Sequence, residues 1–301
     1  MRVAAITITL NDDYKFEEWC KYYEEYKDEI YLHIIVDNGS KPTYISKLES
    51  FFIKSIIIKR NCNGGCTGAY NDGIAFALKN EFVDSIMLIG NDLRLKKGAI
   101  SILWQYLYSN PHFGMVGSIL LKKDSCIIED YGIRLKKFGR SIHENLNQEL
   151  NELIPTEKLI DCVPGGACLA KRIFYEKIGL QDENLFMYCD ERDISIRAKR
   201  DGFEMGVTAR SIAWHQHINP PNNKYRNYFS SYLLGRNFIY LARKHYNLGR
   251  AIVEFMYRIL LQTAICCKNI KDKERRIHYL YYCKGLWCGL VGNMNNQMMQ
   301  K

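Results

Sequence analysis

The sequence predicts an α/β protein built on a mostly parallel, doubly wound sheet with helices on both faces, followed by a helical C-terminal extension. Three observations predict it. Over the first 120 residues, short runs rich in Ile, Val and Leu alternate with stretches of helical period, as parallel strands covered on both faces require. Polar and glycine residues gather just after each apolar run, where ligands bind in such sheets. Beyond residue 214 the helical period takes over.

Strands are expected at residues 3–9, 31–37, 55–59 and 85–89, and helices at 14–26, near 44–52 and at 67–79. A helix at 98–109 should stop at Asn110-Pro111, because proline cannot continue it. Residues 115–121 and 126–135 read as two further strands, and 136–158 as a polar surface excursion able to close over a site. A strand at 160–170, interrupted by Pro164-Gly165-Gly166, precedes a helix at 190–201 and two short strands within 203–214. The expected division is a sheet domain, 1–240, and a basic helical extension, 241–301.

The bulk numbers exclude several classes. With 301 residues, 47% hydrophobic and 25% charged, the chain is neither disordered nor an integral membrane protein by composition. The start, MRVAAITITL, runs straight into Asn11, Asp12 and Asp13, without the long apolar segment and cleavage site of a signal peptide. A cytoplasmic setting with reduced thiols is therefore expected for the eleven cysteines, an odd number. Cys62 and Cys66 have no second ligand pair, which argues against a zinc site.

The net charge of +9 is concentrated at the end, where residues 241–301 hold eleven Lys/Arg against Glu254, Asp272 and Glu274. Such a tail binds nucleic acid or an anionic membrane, or is simply a solvated helical face. Within 250–267, Glu254, Arg258 and Gln262 recur at i, i+4 and i+8 as a narrow polar stripe on an apolar helix. With Arg250 that makes three charges, which argues against a membrane span. A helix packed on the core or lying in a membrane interface fits better.

Candidate chemistry sits at strand ends. Thr9 and Asn11 could line a pocket, though a strand-end Thr and a turn Asn account for them equally well. Asp37, in Asp-Asn-Gly-Ser, could accept hydrogen bonds from a base or ribose, or merely form a turn. Asn63-Gly64-Gly65-Cys66-Thr67-Gly68 opens a helix, where backbone amides and the dipole suit a diphosphate or ribose. The alternative is a tight turn that lets backbone pack closely. Its spacing is not the dinucleotide fingerprint, which disfavours a Rossmann dehydrogenase. Asp92, held by the apolar run 86–89, could carry a divalent cation. Asp190, Glu191 and Asp193 share the first turn of a helix. Asp190 is a possible N-cap and Asp193 pairs at i,i+4 with Arg197, which leaves Glu191 least explained by structure. A carboxylate beside Phe186, Met187 and Tyr188 can have its pKa raised towards that of a working base. His215 could ligate a metal, with His217 on the same face if the strand continues.

Taken in order, these pieces resemble family 2 glycosyltransferases of the GT-A fold, especially bacterial rhamnosyltransferase-like members. The resemblance runs from about residue 2 to residue 237. It rests on Val36-Asp37-Asn38-Gly39-Ser40, Asn63-x-Gly65-x-x-Gly68-x-x-Asn71-x-Gly73, Gly90-Asn91-Asp92, Pro164-Gly165-Gly166-Ala167, Tyr188-Cys189-Asp190-Glu191-Arg192-Asp193, Trp214-His215 and Arg236-Asn237.

The resemblance implies an inverting transfer of a hexose or deoxyhexose from a UDP- or dTDP-sugar to a saccharide or lipid-linked acceptor, in cell-surface polysaccharide assembly. It puts Thr9, Asn11, Asp37, Gly65, Gly68, Asn71, Asn91 and Asp92 at the donor, and Gly166, Asp193 and Trp214 on the acceptor side. It makes Asp92 and His215 ligands of Mg2+ or Mn2+, and Glu191 the base. Two departures stand out. Gly90 replaces the usual first acid of the metal motif, and the acidic pair reads Asp-Glu rather than Glu-Asp, so Asp190 stays an alternative to Glu191. The inner membrane face is an expected partner, and nucleic acid is not. The alternatives are a sugar-phosphate nucleotidyltransferase, which gives Asp190–Asp193 little to do, and a non-catalytic GT-A-like binding or scaffold protein.

Overall fold

Apolar side chains on both faces make β1 (Val3–Thr9) an interior strand, buried on either side. The computed structural model describes residues 1–136, 140–217 and 224–296. After β1 come α1 (Phe16–Tyr26), β2 (Leu32–Asp37), α2 (Pro42–Phe51), β3 (Ile56–Lys59), α3 (Gly65–Leu78) and β4 (Ser85–Ile89). β3, β2, β1 and β4 lie side by side and parallel. Ala4 and Ile6 of β1 face α3, packing with Ala69, Ile74 and Ala77. Val3 and Ala5 face the other way.

The second half begins with β5 (Leu93–Leu95), α4 (Ala99–Ser109), β6 (Phe113–Lys122), β7 (Ile128–Asp130), β8 (Ile133–Leu135), β9 (Ser141–His143) and β10 (Glu157–Ile160). It continues with β11 (Ala167–Lys171), α5 (Arg172–Ile178), α6 (Asp190–Arg200) and β12 (Glu204–His215). Val3 and Ala5 bury against Ile100, Leu103 and Leu107 of α4, so the sheet is covered on both faces. The strand order is β10-β12-β6-β11-β4-β1-β2-β3. β11 runs antiparallel to both its neighbours, β4 and β6, and reverses the sheet at its centre.

Several expected elements divide or merge. The run 126–135 splits into β7 and β8 because Gly132 takes φ +91° and donates its N–H to Asp130 at 2.8 Å, turning the chain. The interrupted strand at 160–170 becomes the end of β10 and β11, which pair with different partners. The two short strands within 203–214 are one long β12 with an irregularity between Thr208 and Ile212. β5 and α5 have no counterpart among the expected elements. The excursion at 136–158 carries β9 and the start of β10, with 137–139 outside the described residues.

Three helices finish the chain: α7 (Lys224–His245), α8 (Leu248–Lys268) and α9 (Lys273–Val291). α7 runs through residue 240 and packs along α9. A Cβ on Gly235 or Gly285 would collide with the backbone of the facing helix, so these glycines set the close approach. Among the described residues, no helix is long and apolar enough to cross a membrane.

Candidate active site

The carboxyl ends of β1, β2 and β4 meet at one rim of the sheet, where the polar residues are bound to one another. Asp12 is the hub. Its Oδ2 accepts from Thr9 Oγ1 (3.0 Å), from Leu10 N (3.2 Å) and from Asn91 Nδ2 (2.7 Å). Its Oδ1 lies 3.4 Å from Lys15 Nζ. Thr9 also meets the Tyr44 hydroxyl at 2.6 Å, and Lys41 N donates to Asn11 Oδ1 at 2.9 Å. Asp37 is fully buried; its Oδ2 accepts from Ser40 N (3.1 Å), while its Oδ1 has no hydrogen-bond partner. A buried carboxylate oxygen left bare is an acceptor free for a ligand.

The glycine loop packs tightly around two groups. Gly65, at φ +74°, lies directly under Phe186, where any Cβ would strike the Phe186 carbonyl. Gly64 and Gly68 make room for the Arg60 guanidinium, which pairs with Asp72 at 3.1 Å. Asn71 faces away from this rim. Its amide donates to Gln181 O (2.9 Å) and Glu183 Oε1 (3.0 Å), and its carbonyl accepts from Gln181 N (2.9 Å). It fastens α3 to the segment that leads to the acidic helix.

Asp92 stands beyond β4 and meets His215, which in turn joins Glu129 and His217. His215 Nε2 is 3.5 Å from Asp92 Oδ2, and its Nδ1 is 2.7 Å from Glu129 Oε1. The other Glu129 oxygen lies 2.8 Å from His217 Nε2. Burial works against the Asp92 charge, but the hydrogen bond from His215 and the Lys15 charge hold its pKa below the usual carboxylate range. Burial likewise opposes a charged His215, yet Asp92 and Glu129 lift its pKa to about 9. Glu129, His215 and His217 present one ligand atom each, all within 4.8 Å of one another, a set able to hold a metal ion.

The acidic helix starts from a strained approach. Phe186, Tyr188 and Cys189 have φ of +63°, +69° and +65°, a conformation costly for residues with side chains. Two buried residues of α7 hold it. Asn237 Nδ2 donates to the carbonyls of Leu185, Met187 and Tyr188, each at 2.9 Å. Arg236 donates to those of Asn184 (2.9 Å) and Leu185 (3.1 Å). Asp190 and Glu191 follow, half-buried. Burial raises both pKa values, Glu191 the more; the Asp190 charge adds to the rise of Glu191, and the Asp193 charge to that of Asp190. The Glu191 carboxylate rests where a Cβ on Gly165 would sit, 2.6 Å from Oε1. Gly90 N donates to Gly166 O at 2.8 Å, so the Asp92 and Glu191 segments meet across the start of β11.

Residues 21–177 match the model for "Glycosyl transferase family 2". The chain belongs to glycosyl transferase family 2. A low-salt glycan biosynthesis hexosyltransferase, Agl10 of Haloferax volcanii, is 24% identical over 196 residues, 64% of this chain and 62% of that protein. The chain thus spans under two thirds of that curated relative. Among solved structures, a mannosyltransferase from Pyrobaculum calidifontis in complex with GDP-Man and Mn2+ aligns with TM-score 0.57 at 13% identity, covering 97% of this chain and 87% of that one. GalNAc-T7 with UDP, GalNAc and Mn2+ gives 0.57 at 11% identity, covering 78% and 51%. S. aureus TarS gives 0.51 at 13% identity, covering 79% and 44%. At these identities the likeness establishes the fold, which is GT-A.

Against the family 2 pattern, Asp37, Asp92, His215, Asp190, Glu191 and Gly166 lie along the sheet rim and the start of β11. Other residues are occupied elsewhere. Asp193 is fully buried and bound by Arg197 (2.9 Å), Lys244 (2.7 Å) and His245 (2.7 Å). Burial opposes its charge, but His245 and Lys244 hold its pKa down to about 2. It ties α6 to α7, which leaves no free oxygen for an acceptor. Trp214 Nε1 donates to Ser125 O (3.1 Å). Asn91 gives its amide to Asp12 and so braces the rim. Asp12, Lys15, Arg60 and Glu129 carried no motif of their own; only Asp12, beside Asn11, had a neighbour that pointed to the site. A cleft of about 960 Å³ lies along the next face of α6, lined by Arg192, Ser195 and Lys199 with Tyr246 and Arg250. It contains neither Asp190 nor Glu191.

Proposed function

We infer that this chain transfers a hexose or deoxyhexose from a nucleotide-activated donor to an acceptor hydroxyl, with inversion at the anomeric carbon. The observation that carries it is the Asp190–Glu191 pair, two carboxyls with raised pKa set on a clamped loop across the rim from Asp92 and His215. Burial raises both pKa values, so an ionised carboxylate of this pair is a stronger base than an exposed one. A base of this kind is matched to deprotonating a hydroxyl. Glu191 takes the acceptor proton, with Asp190 as its partner and alternative.

The Asp37 Oδ1 is the acceptor for the N–H or O–H groups of the donor's base or ribose. UDP- or dTDP-sugars, dTDP-rhamnose included, are the donors we favour. A saccharide or lipid-linked hydroxyl at the inner membrane face, in surface polysaccharide assembly, is the acceptor. Asp92 and His215 would hold the metal, with Glu129 and His217 beside them, and their donor set fits one. Two imidazoles with carboxylates suit Mn2+ better than Mg2+. When bound, the ion offsets negative charge on the leaving diphosphate. We omit Asp193 and Asn71 from the site, because the fold uses them fully.

The test is nucleoside diphosphate release from a panel of UDP-, dTDP- and GDP-sugars, with Glu191→Gln alongside. Removing a general base should lower turnover by about 10²–10⁴-fold while donor binding, followed by thermal shift, persists. Near-normal turnover in the variant would sink the assignment. Pyrophosphate from a nucleoside triphosphate would mean nucleotidyl transfer, and silence with every donor would favour a scaffold.

A further inference from the structure

α8 is amphipathic in the reverse of the usual sense. Its polar stripe faces inward. Glu254 is 3% exposed and accepts from Arg250 Nε at 3.0 Å. Arg258 lies 3.8 Å from the Phe238 ring centroid and donates to the Tyr282 hydroxyl at 3.2 Å. The outward face carries Leu248, Ile252, Val253, Met256, Leu260 and Leu261, each 44–65% exposed. The exposed positions of the helix between residues 251 and 267 include no charged side chain.

A soluble surface helix turns its charges to water and its apolar stripe to the core. A contiguous outward apolar face marks an interaction surface. Its surroundings identify the partner. The α8–α9 connection and the first turn of α9 present Lys271, Lys273, Arg275 and Arg276, all exposed, against Asp272 and Glu274. An apolar strip with cations at its end matches an anionic lipid surface, where apolar residues enter the headgroup boundary and cations meet phosphates. At 21 residues α8 is long enough to span, but its polar stripe and hydropathy exclude a crossing, so it lies flat.

We propose that α8 seats this protein on an anionic membrane surface, apolar face down, with the α8–α9 basic cluster on lipid phosphates. The surface stands on its own observations. What it implies for the acceptor, a hydroxyl carried at the membrane, rests on the transferase reading. The cleft lined by Arg192, next to Glu191, also reaches Tyr246 and Arg250 at the start of α8.

The experiment is co-sedimentation of the full chain with phosphatidylcholine vesicles, with and without phosphatidylserine. Wild type should bind the anionic vesicles and be released by salt. The exposed double variant Met256→Glu/Leu260→Glu, checked for an unchanged melting curve, should bind about tenfold more weakly. Lys271→Glu/Lys273→Glu should lose the preference for anionic lipid. Wild type that ignores both vesicle types, or an apolar variant that binds like wild type, would overturn the proposal. So would a dimer, seen by light scattering, that the apolar variant dissolves without any change in vesicle binding. Transfer to a soluble acceptor, measured in the same variants, reports on the enzyme separately from the docking.

Discussion

The two faces of α6 carry carboxylates in opposite states. Asp193 points into α7 and is met by Arg197, Lys244 and His245, which hold its pKa down to about 2 despite full burial. Asp190 and Glu191, three and two residues earlier, face the sheet rim, where burial pushes both upward and the Asp190 charge pushes Glu191 further. Within one helical turn the fold thus makes one permanent anion and one proton-holding pair. What separates them is the cations that α7 brings to one face only. Residue type alone does not assign function here; the partners do.

The largest effect should come from breaking the anchored side. Asp193→Ala leaves Lys244, His245 and Arg197 without their shared acceptor, and an uncompensated buried charge is expensive. We expect a loss of about 3 kcal/mol in urea unfolding at neutral pH. The wild-type contribution has a definite sign. A carboxyl with a depressed folded pKa stabilises above its unfolded value of about 3.9, and that stability disappears as pH falls towards 2. Asp193→Ala should therefore converge with wild type in acid. A constant difference across that range would refute the assignment.

Next comes the clamp that joins the two sides. Asn237→Ala removes the amide that serves three carbonyls of the positive-φ segment. Buried carbonyls left without donors should cost about 2 kcal/mol. Turnover should fall more than donor affinity, because Glu191 is displaced while the strand ends stay in place. Equal losses in both would mean a global defect.

How much of this was legible in the sequence follows the same division. β1 and β4 were readable to the residue, since each is an apolar run closed by polar residues at a sheet edge. Asp92 and Glu191 were findable because each followed such a run or an aromatic stretch. The direction of β11 was not, since a strand's own residues do not record whether its neighbours run parallel or antiparallel. Glu129 sits in the middle of an expected strand, and nothing in spacing links it to His215, 86 residues away. The bend at 186–189 was hidden for another reason. Left-handed backbone is normally signalled by Gly or Asn, but here Phe, Tyr and Cys adopt it because Arg236 and Asn237 enforce it from α7.

Beside Asp92 the charges are arranged differently again, with Glu129 between two imidazoles. Glu129→Gln keeps the size of the side chain but removes the charge that orients His215 and His217. Partners behind a metal-binding histidine typically contribute 10–100-fold in affinity. We expect about tenfold weaker Mn2+ binding by calorimetry, with folding unchanged. Unaltered binding would remove Glu129 from the site.

The smallest expected effect is the most discriminating. A carboxyl whose folded pKa is raised binds its proton more tightly folded than unfolded. Its burial is therefore tolerated below the unfolded pKa, and stability is lost as pH rises through the folded value. This is the opposite slope to that of Asp193. Glu191→Gln removes the titration and leaves a neutral side chain of the same shape beside Gly165. The variant should be more stable than wild type by about 1 kcal/mol at mildly alkaline pH, and equal to it in acid. Neutralising Glu191 should return that stability while turnover falls by about 10²–10⁴-fold. If Glu191→Gln instead destabilises the protein at every pH, Glu191 is a structural acid, and the base must be sought in Asp190.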